Sequence, residues 1–194
     1  GLGGHGALPD RTVNPILMGS EFILAAKRFI VENTPNDVPS VINFGHFKAQ
    51  GATNVVPDKA FIKGTFRTMD EEWRKKAKDQ LLEIAARISQ DYNGQLKLNI
   101  SHGYPFLKND TKLTHAIRDI AKRNFGPEKV HDLPMRMTSE DFAYYSQLVP
   151  VCFFRLGVRN EEKGIIHGLH NPKFDIDSSS IKKGVQMFVS IVFS

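Results

Sequence analysis

The chain has 194 residues, 41% apolar and 24% charged, which is enough to bury the core of one large domain or two small ones. Its net charge of +5 comes largely from cations interleaved with acids, as Arg74, Lys75, Lys76 and Lys78 are with Glu71, Glu72 and Asp79. That pattern fits a solvated helix face far better than a nucleic-acid surface, while the lack of any long apolar run excludes a transmembrane helix and the single Cys152 excludes an intrachain disulfide.

Gly1-Leu2-Gly3-Gly4-His5-Gly6 has no leader pattern and reads as the interior of a longer protein, so a fragment is expected. Leu2 to Leu8 is the first strand. Asn14-Pro15 starts a helix whose apolar residues, Ile16, Gly19, Ile23, Ala26 and Ile30, recur at helical spacing. Val41 to Gln50 and Lys59 to Thr68 are strands, joined through Gly51-Ala52-Thr53-Asn54-Val55-Val56-Pro57-Asp58. A second helix runs from about Asp70 to Tyr92, with Trp73, Ala77, Leu81, Ile84, Ile88 and Tyr92 on one stripe. Leu96, Leu98 and Ile100 then alternate with polar residues, as a half-buried strand does. The resulting order, βαββαβ, is that of a ferredoxin-like domain with both helices on one face of an antiparallel sheet.

Tyr104-Pro105-Phe106 reads as a linker, dividing the chain into residues 1–104 and 105–194. Beyond it, Leu113, Ile117, Ile120 and Ala121 form a helix stripe that ends at Gly126-Pro127. Ser139 is placed to cap a short helix opened by Ser139-Glu140-Asp141. Val151 to Leu156 reads as a buried strand, with Cys152 as an inert thiol suited to a reducing compartment. Ile181, Val185, Phe188, Val189 and Val192 make a final amphipathic helix. The second half is α/β, with few strands for its helices to cover.

Four residues are candidates for chemistry. His170, in Leu169-His170-Asn171-Pro172-Lys173-Phe174-Asp175, is either a metal ligand or a loop histidine bonded to backbone. His167 lies three residues earlier and reads as structural or exposed. His5, flanked by glycines, either donates to a developing oxyanion or sits exposed on an edge strand. Arg67 lies on the strand face opposite Ala60, Ile62, Gly64 and Phe66. On an open sheet face its guanidinium suits a substrate carboxylate, the alternative being an ordinary surface arginine. Asn54 could reach a ligand or serve its own turn. Glu161-Glu162 belongs to a charged, solvated turn.

Five segments in order resemble one family over essentially the whole chain. Gly3-Gly4-His5-Gly6-Ala7-Leu8-Pro9 with Thr12-Val13-Asn14-Pro15-Ile16, the segment 51–58, and Gly64-Thr65-Phe66-Arg67-Thr68 resemble the lid (dimerisation) domain of the aminoacylase/carboxypeptidase metallopeptidases. Ser139-Glu140-Asp141-Phe142-Ala143-Tyr144-Tyr145 and the segment around His170 resemble its amidohydrolase branch, which includes hippurate hydrolases, N-acyl-amino-acid amidohydrolases and auxin-conjugate hydrolases.

The resemblance implies a ferredoxin-like lid over residues 1–104 and the C-terminal α/β part of a catalytic domain over residues 105–194. It implies a homodimer formed through the lid, a substrate that is an N-acyl amino acid or small peptide, and a divalent metal, zinc or else manganese, cobalt or nickel. It makes His170 a metal ligand, His5 an oxyanion donor acting in the partner subunit's site, and Asn54 and Arg67 substrate contacts, with Arg67 on the free carboxylate. The family's remaining ligands and its general-base glutamate lie ahead of the lid, and neither Cys152 nor Glu161-Glu162 fits them. Weak or absent metal binding, and no hydrolysis, is therefore expected of this chain alone. The rival reading is a non-catalytic dimerisation module. A cytoplasmic location is favoured, and neither nucleic acid nor membrane is expected as a partner.

Overall fold

The computed structural model describes Gly1–Ser194 and divides into two units, one of Gly1–Phe106 with Met137–Ser139, the other of Leu107–Arg136 with Glu140–Ser194. It is a mixed α/β structure with small sheets, and no helix is long and apolar enough to cross a membrane.

In the first unit, β1 (Gly4–His5) is followed by α1 (Pro15–Asn33). Asn14 caps α1 by accepting from Ile16 N, and Pro15 stands where a missing N–H costs nothing. Then come β2 (Ser40–Ala49), β3 (Val55–Val56) and β4 (Ala60–Thr68). The helix α2 (Glu71–Asp91) starts where Asp70 accepts from Trp73 N at 2.6 Å.

β2 and β4 pair antiparallel from Ser40↔Thr68 to Ala49↔Ala60, with a shift of register between Phe44 and His46. The extra residue there is Gly45, a bulge that the alternation pattern alone does not reveal. Met18, Phe22, Ala26 and Ile30 of α1 meet Trp73, Ala77, Leu81, Ile84, Ala85 and Ile88 of α2 in one core, with Ile42 from β2. Tyr92, at the end of α2, donates to Glu21 Oε2 on α1 at 2.6 Å, and that bond to a carboxylate raises the phenol's pKa. The linker is held by α2, since Arg74 donates to Tyr104 O and Glu71 accepts from Phe106 N.

Two expected strands differ. Of Leu2 to Leu8 only Gly4 and His5 form a ladder, with Val56 and Val55, while Leu2 makes an isolated bridge to Val13. The segment 96–100 keeps its alternation, Leu96, Leu98 and Ile100 packing on the core, but joins no ladder. The strands therefore form two two-stranded sheets, β1-β3 and β2-β4. Alternation reports which side is buried, not which backbone lies alongside.

The second unit contains α3 (Thr111–Phe125), α4 (Ala143–Ser146) and α5 (Ser179–Val192). Asp110 caps α3 through Leu113 N, and Gly126 ends it at φ +90°. Ile117, Ile120 and Met187 form the core, with Leu113, Ala121, Cys152, Phe154 and Ile191 packed on it.

Two expectations fail here, and the last helix is more exposed than its neighbours. The run Val151 to Leu156 is not a ladder strand. Asn109 takes the place of a neighbouring strand, accepting from Phe153 N and donating to Phe153 O. Ser139 does not cap α4, which begins at Ala143 without a side-chain cap. On α5, Ile181, Val185, Phe188, Val189 and Val192 are all more than half exposed, and the residues turned inward are Ser180 and Met187. With α3 as its neighbouring helix, α5 buries only a narrow strip of a wide apolar face.

Candidate functional site

His5 stands opposite Val55 in the β1–β3 ladder, and Gly6 N donates to Asn54 O at 2.8 Å. A Cβ on residue 6 would lie 3.2 Å from that oxygen, so glycine permits the close approach. The fold thus brings His5 and Asn54 together, both exposed. Ala7 N donates to His5 Nδ1 at 3.1 Å. A neutral ring that accepts at Nδ1 carries its proton on Nε2, and that N–H is then a donor. Asn54 sits in the turn closed by paired bonds between Ala52 and Val55, so it serves a backbone role there.

Arg67 lies at the far end of β4, half-buried, on the face opposite the core residue Phe66. Its Nη1 donates to Met137 O at 2.9 Å and to Ser139 Oγ at 2.8 Å. That contact is why Ser139 caps no helix and why Met137–Ser139 belongs to the first unit. Both acceptors are uncharged, so neither neutralises the guanidinium.

His170 belongs to the second unit, with its side chain exposed. It occupies the left-handed region at φ +67°, one of only two non-glycine residues in the chain at positive φ. Asn171 N donates to Gly168 O, closing a turn with Leu169 and His170 at its centre. Positive φ at the second central position is the type II geometry, which normally selects Gly or Asn. A second turn follows at once, through Phe174 N to Asn171 O and Lys173 N to Asn171 Oδ1. The imidazole is therefore carried on a strained residue inside the first of two successive tight turns, the kind of backbone outlier that clusters at functional sites. His167 is half-buried outside these turns. Glu161 pairs with Arg159 in an exposed turn, as the solvated reading requires.

The sequence reading missed Asp177. Its buried carboxylate accepts from Asn160 Nδ2, Lys163 Nζ and Ser179 N. These bonds, Asn160's foremost, hold its carboxyl well below the usual carboxylate range. Asp177 N also donates to Val158 O, so this residue ties the 160–165 turn to the start of α5. The signal available was an acid directly ahead of Ser178-Ser179 and a helical stripe.

No group of three His, Cys, Asp or Glu side chains converges in a way that would hold a metal ion. His170 supplies one imidazole, and a metal centre takes about three protein ligands. The donors of this chain do not by themselves fit a metal centre.

The profile of Peptidase family M20/M25/M40 matches residues 6–194. N-acetyl-L-cysteine deacetylase of Bacillus subtilis is 31% identical over 183 residues, covering 94% of this chain and 42% of the deacetylase. Thermostable carboxypeptidase 2 of Saccharolobus solfataricus is 30% identical over 185 residues, covering 95% of this chain and 46% of the carboxypeptidase. The fold is shared with Bacillus subtilis YXEP, a dinuclear metal-binding peptidase from the M20 family, at a TM-score of 0.71 and 22% identity over 92% of this chain and 45% of that one. The chain spans about half the length of the curated relatives it matches.

Proposed function

The chain belongs to peptidase family M20/M25/M40, and on that footing we propose that it is the lid and the C-terminal catalytic segment of an amidohydrolase that releases an amino acid from an N-acyl amino acid or small peptide. The observation that carries this reading is His170. A histidine held at φ +67° inside a tight turn, in a chain matched to the family from residue 6 to residue 194, supports the reading of His170 as a fixed ligand.

In this reading residues 1–104 are the lid, built on the ferredoxin-like βαββαβ plan with Leu96, Leu98 and Ile100 as its last strand position. Residues 105–194 belong to the catalytic domain. Arg67 receives the free carboxylate of the amino-acid portion, exchanging its neutral acceptors for a charged one. His5 donates from Nε2 to the oxyanion that develops on the amide carbonyl, in the site of a second copy, and Asn54 beside it contacts the same substrate. His170 supplies one ligand to a divalent metal whose other ligands, with the general base, come from further chain. No step is assigned to that metal here, because the donors present do not complete its site.

The exposed apolar face of α5 supports a larger protein, since additional chain would cover it. Titrating Zn²⁺ into the 194-residue chain tests the division of ligands. Only weak, non-stoichiometric binding is expected. A tight one-to-one site would overturn the proposal that the other ligands lie elsewhere.

A further inference from the structure

The bulge at Gly45 decides what the open face of the β2–β4 sheet carries. Ile42 and Phe44 belong to the core side, and strict alternation would send His46 and Lys48 after them. The extra residue reverses the phase. Phe47, opposite Ile62, resumes the core side, where a Cβ on Gly19 of α1 would lie 3.0 Å from Phe47 Cζ and 2.6 Å from Ile62 Cδ1. His46 and Lys48 are thereby placed on the other face, which β4 shares through Lys63, Thr65 and Arg67.

That face holds three cations and no carboxylate. Lys48, Lys63 and Arg67 enter none of the chain's ion pairs, whereas the cations of α2 are interleaved with Glu71, Glu72 and Asp79. Cations left unneutralised on one face concentrate anions there. They are also ordered along the ladder. Arg67 stands opposite Val41, Thr65 opposite Asn43, and Lys63 opposite His46. Between Arg67 and Lys63 the face therefore offers only two short, neutral hydrogen-bonding side chains, both exposed. Four residues of strand separate the two cations by about 13 Å at the Cα atoms.

We propose that Lys63, with His46 across from it, is a second anion subsite on this face, and that it selects substrates whose acyl group ends in a carboxylate. The inference rests on the role proposed above for Arg67 and names the substrate class. An amino acid acylated by a dicarboxylic acid presents a carboxylate, an amide and a second carboxylate in a row. The face presents a cation, neutral hydrogen-bonding groups and a second cation in the same order. Arg67 takes the amino-acid carboxylate, Thr65 and Asn43 lie beside the amide, and the Lys63 ammonium takes the distal carboxylate, with the His46 ring beside it as a further polar group. An acidic amino-acid side chain matches less well, because both its carboxylates lie on one side of the amide and too close together to meet cations set so far apart.

Titrating the 194-residue chain with N-succinyl-L-leucine, N-acetyl-L-leucine and N-acetyl-L-aspartate, followed by NMR shifts of the β2 and β4 amides, tests it. At low salt the succinyl probe should bind about threefold more tightly than N-acetyl-L-leucine, the scale of one exposed ion pair. The advantage should fade as salt is raised. N-acetyl-L-aspartate, equally dianionic, should gain less. Lys63→Gln should erase the difference between the succinyl and acetyl probes, and Lys63→Arg should keep it. Lys75→Gln, which removes a charge from the exposed face of α2, should also keep it. Equal affinities for the two leucine probes, an advantage that survives Lys63→Gln or falls with Lys75→Gln, or an equal gain for N-acetyl-L-aspartate overturns the subsite. Arg67→Gln separates the two claims, since loss of N-acetyl-L-leucine binding in that variant leaves the role of Arg67 standing whatever Lys63 does. Failure of every probe to bind overturns both.

Discussion

Arg67 and Ser139 lie 72 positions apart and are joined by a hydrogen bond of 2.8 Å, with Met137 O sharing the same Nη1. That contact ties the segment 137–139 to β4, and it occupies the guanidinium proposed to receive a carboxylate. Arg67→Ala should loosen the segment. Limited proteolysis within residues 137–139 should be at least about tenfold faster, the scale of a lost charge-assisted hydrogen bond. Arg67→Lys should not restore slow cleavage, because an ammonium does not reproduce the planar fork. Unchanged cleavage in Arg67→Ala would remove this contact as the anchor.

The left-handed backbone at His170 separates stability from chemistry. His170→Gly should leave the chain at least as stable as the parent, since glycine adopts φ +67° without strain. His170→Val, β-branched, should cost about 1–2 kcal/mol at the same position. Thermal unfolding of the two variants checks both statements. Equal destabilisation by Gly and Val would show that the imidazole holds the turn, in place of being held by it.

Acid should act on the second unit through Asp177. Its carboxyl is held below its unfolded value, so the stability it contributes is complete above about pH 4 and is lost as pH falls from there towards the lowered folded value. Unfolding temperatures between pH 6 and pH 2 should drop in the parent. Asp177→Asn should be less stable at pH 6 and flatter below pH 4. Parallel profiles for the two proteins would exclude Asp177 as the source.

Ile88 is fully buried between α1 and α2, in the core that carries the β2–β4 sheet. Ile88→Ala should destabilise the first unit by about 2–5 kcal/mol, the transfer term and the cavity term together. Urea unfolding followed at Trp73, in the same core, reads this directly, and a loss below about 1 kcal/mol would mean that the site collapses around the smaller side chain.

What the sequence made legible was local. Asn14-Pro15, Asp70 and Gly126 mark helix ends because the groups they satisfy lie within four residues. The alternation over Ala60 to Thr68 gave β4 and the face that carries Arg67. What escaped depends on distant partners. Ser139 has the local pattern of a cap, and an arginine 72 positions away is invisible to that pattern. The exposure of the stripe on α5 is not legible either, because amphipathicity shows that a face is apolar, not that anything covers it. The role of Asp177 is not legible locally because Asn160 and Lys163 lie on a different turn. Of the candidate site, the residue types are readable, but neither the strained conformation of His170 nor the proximity of His5 and Asn54 is.

Amino-acid release from N-acyl amino acids, with Zn²⁺ or Mn²⁺ supplied, is the most direct test of the proposed function. It should be measured on these 194 residues alone and on the same chain extended upstream of Gly1 to the length of its relatives. No release is expected from the chain alone. The extended protein should show release that chelator abolishes and that His170→Ala removes while the fold persists. Metal-dependent release by the chain alone, or release by the extended protein that survives His170→Ala, would contradict the assignment of His170 as one ligand of a centre completed by further chain.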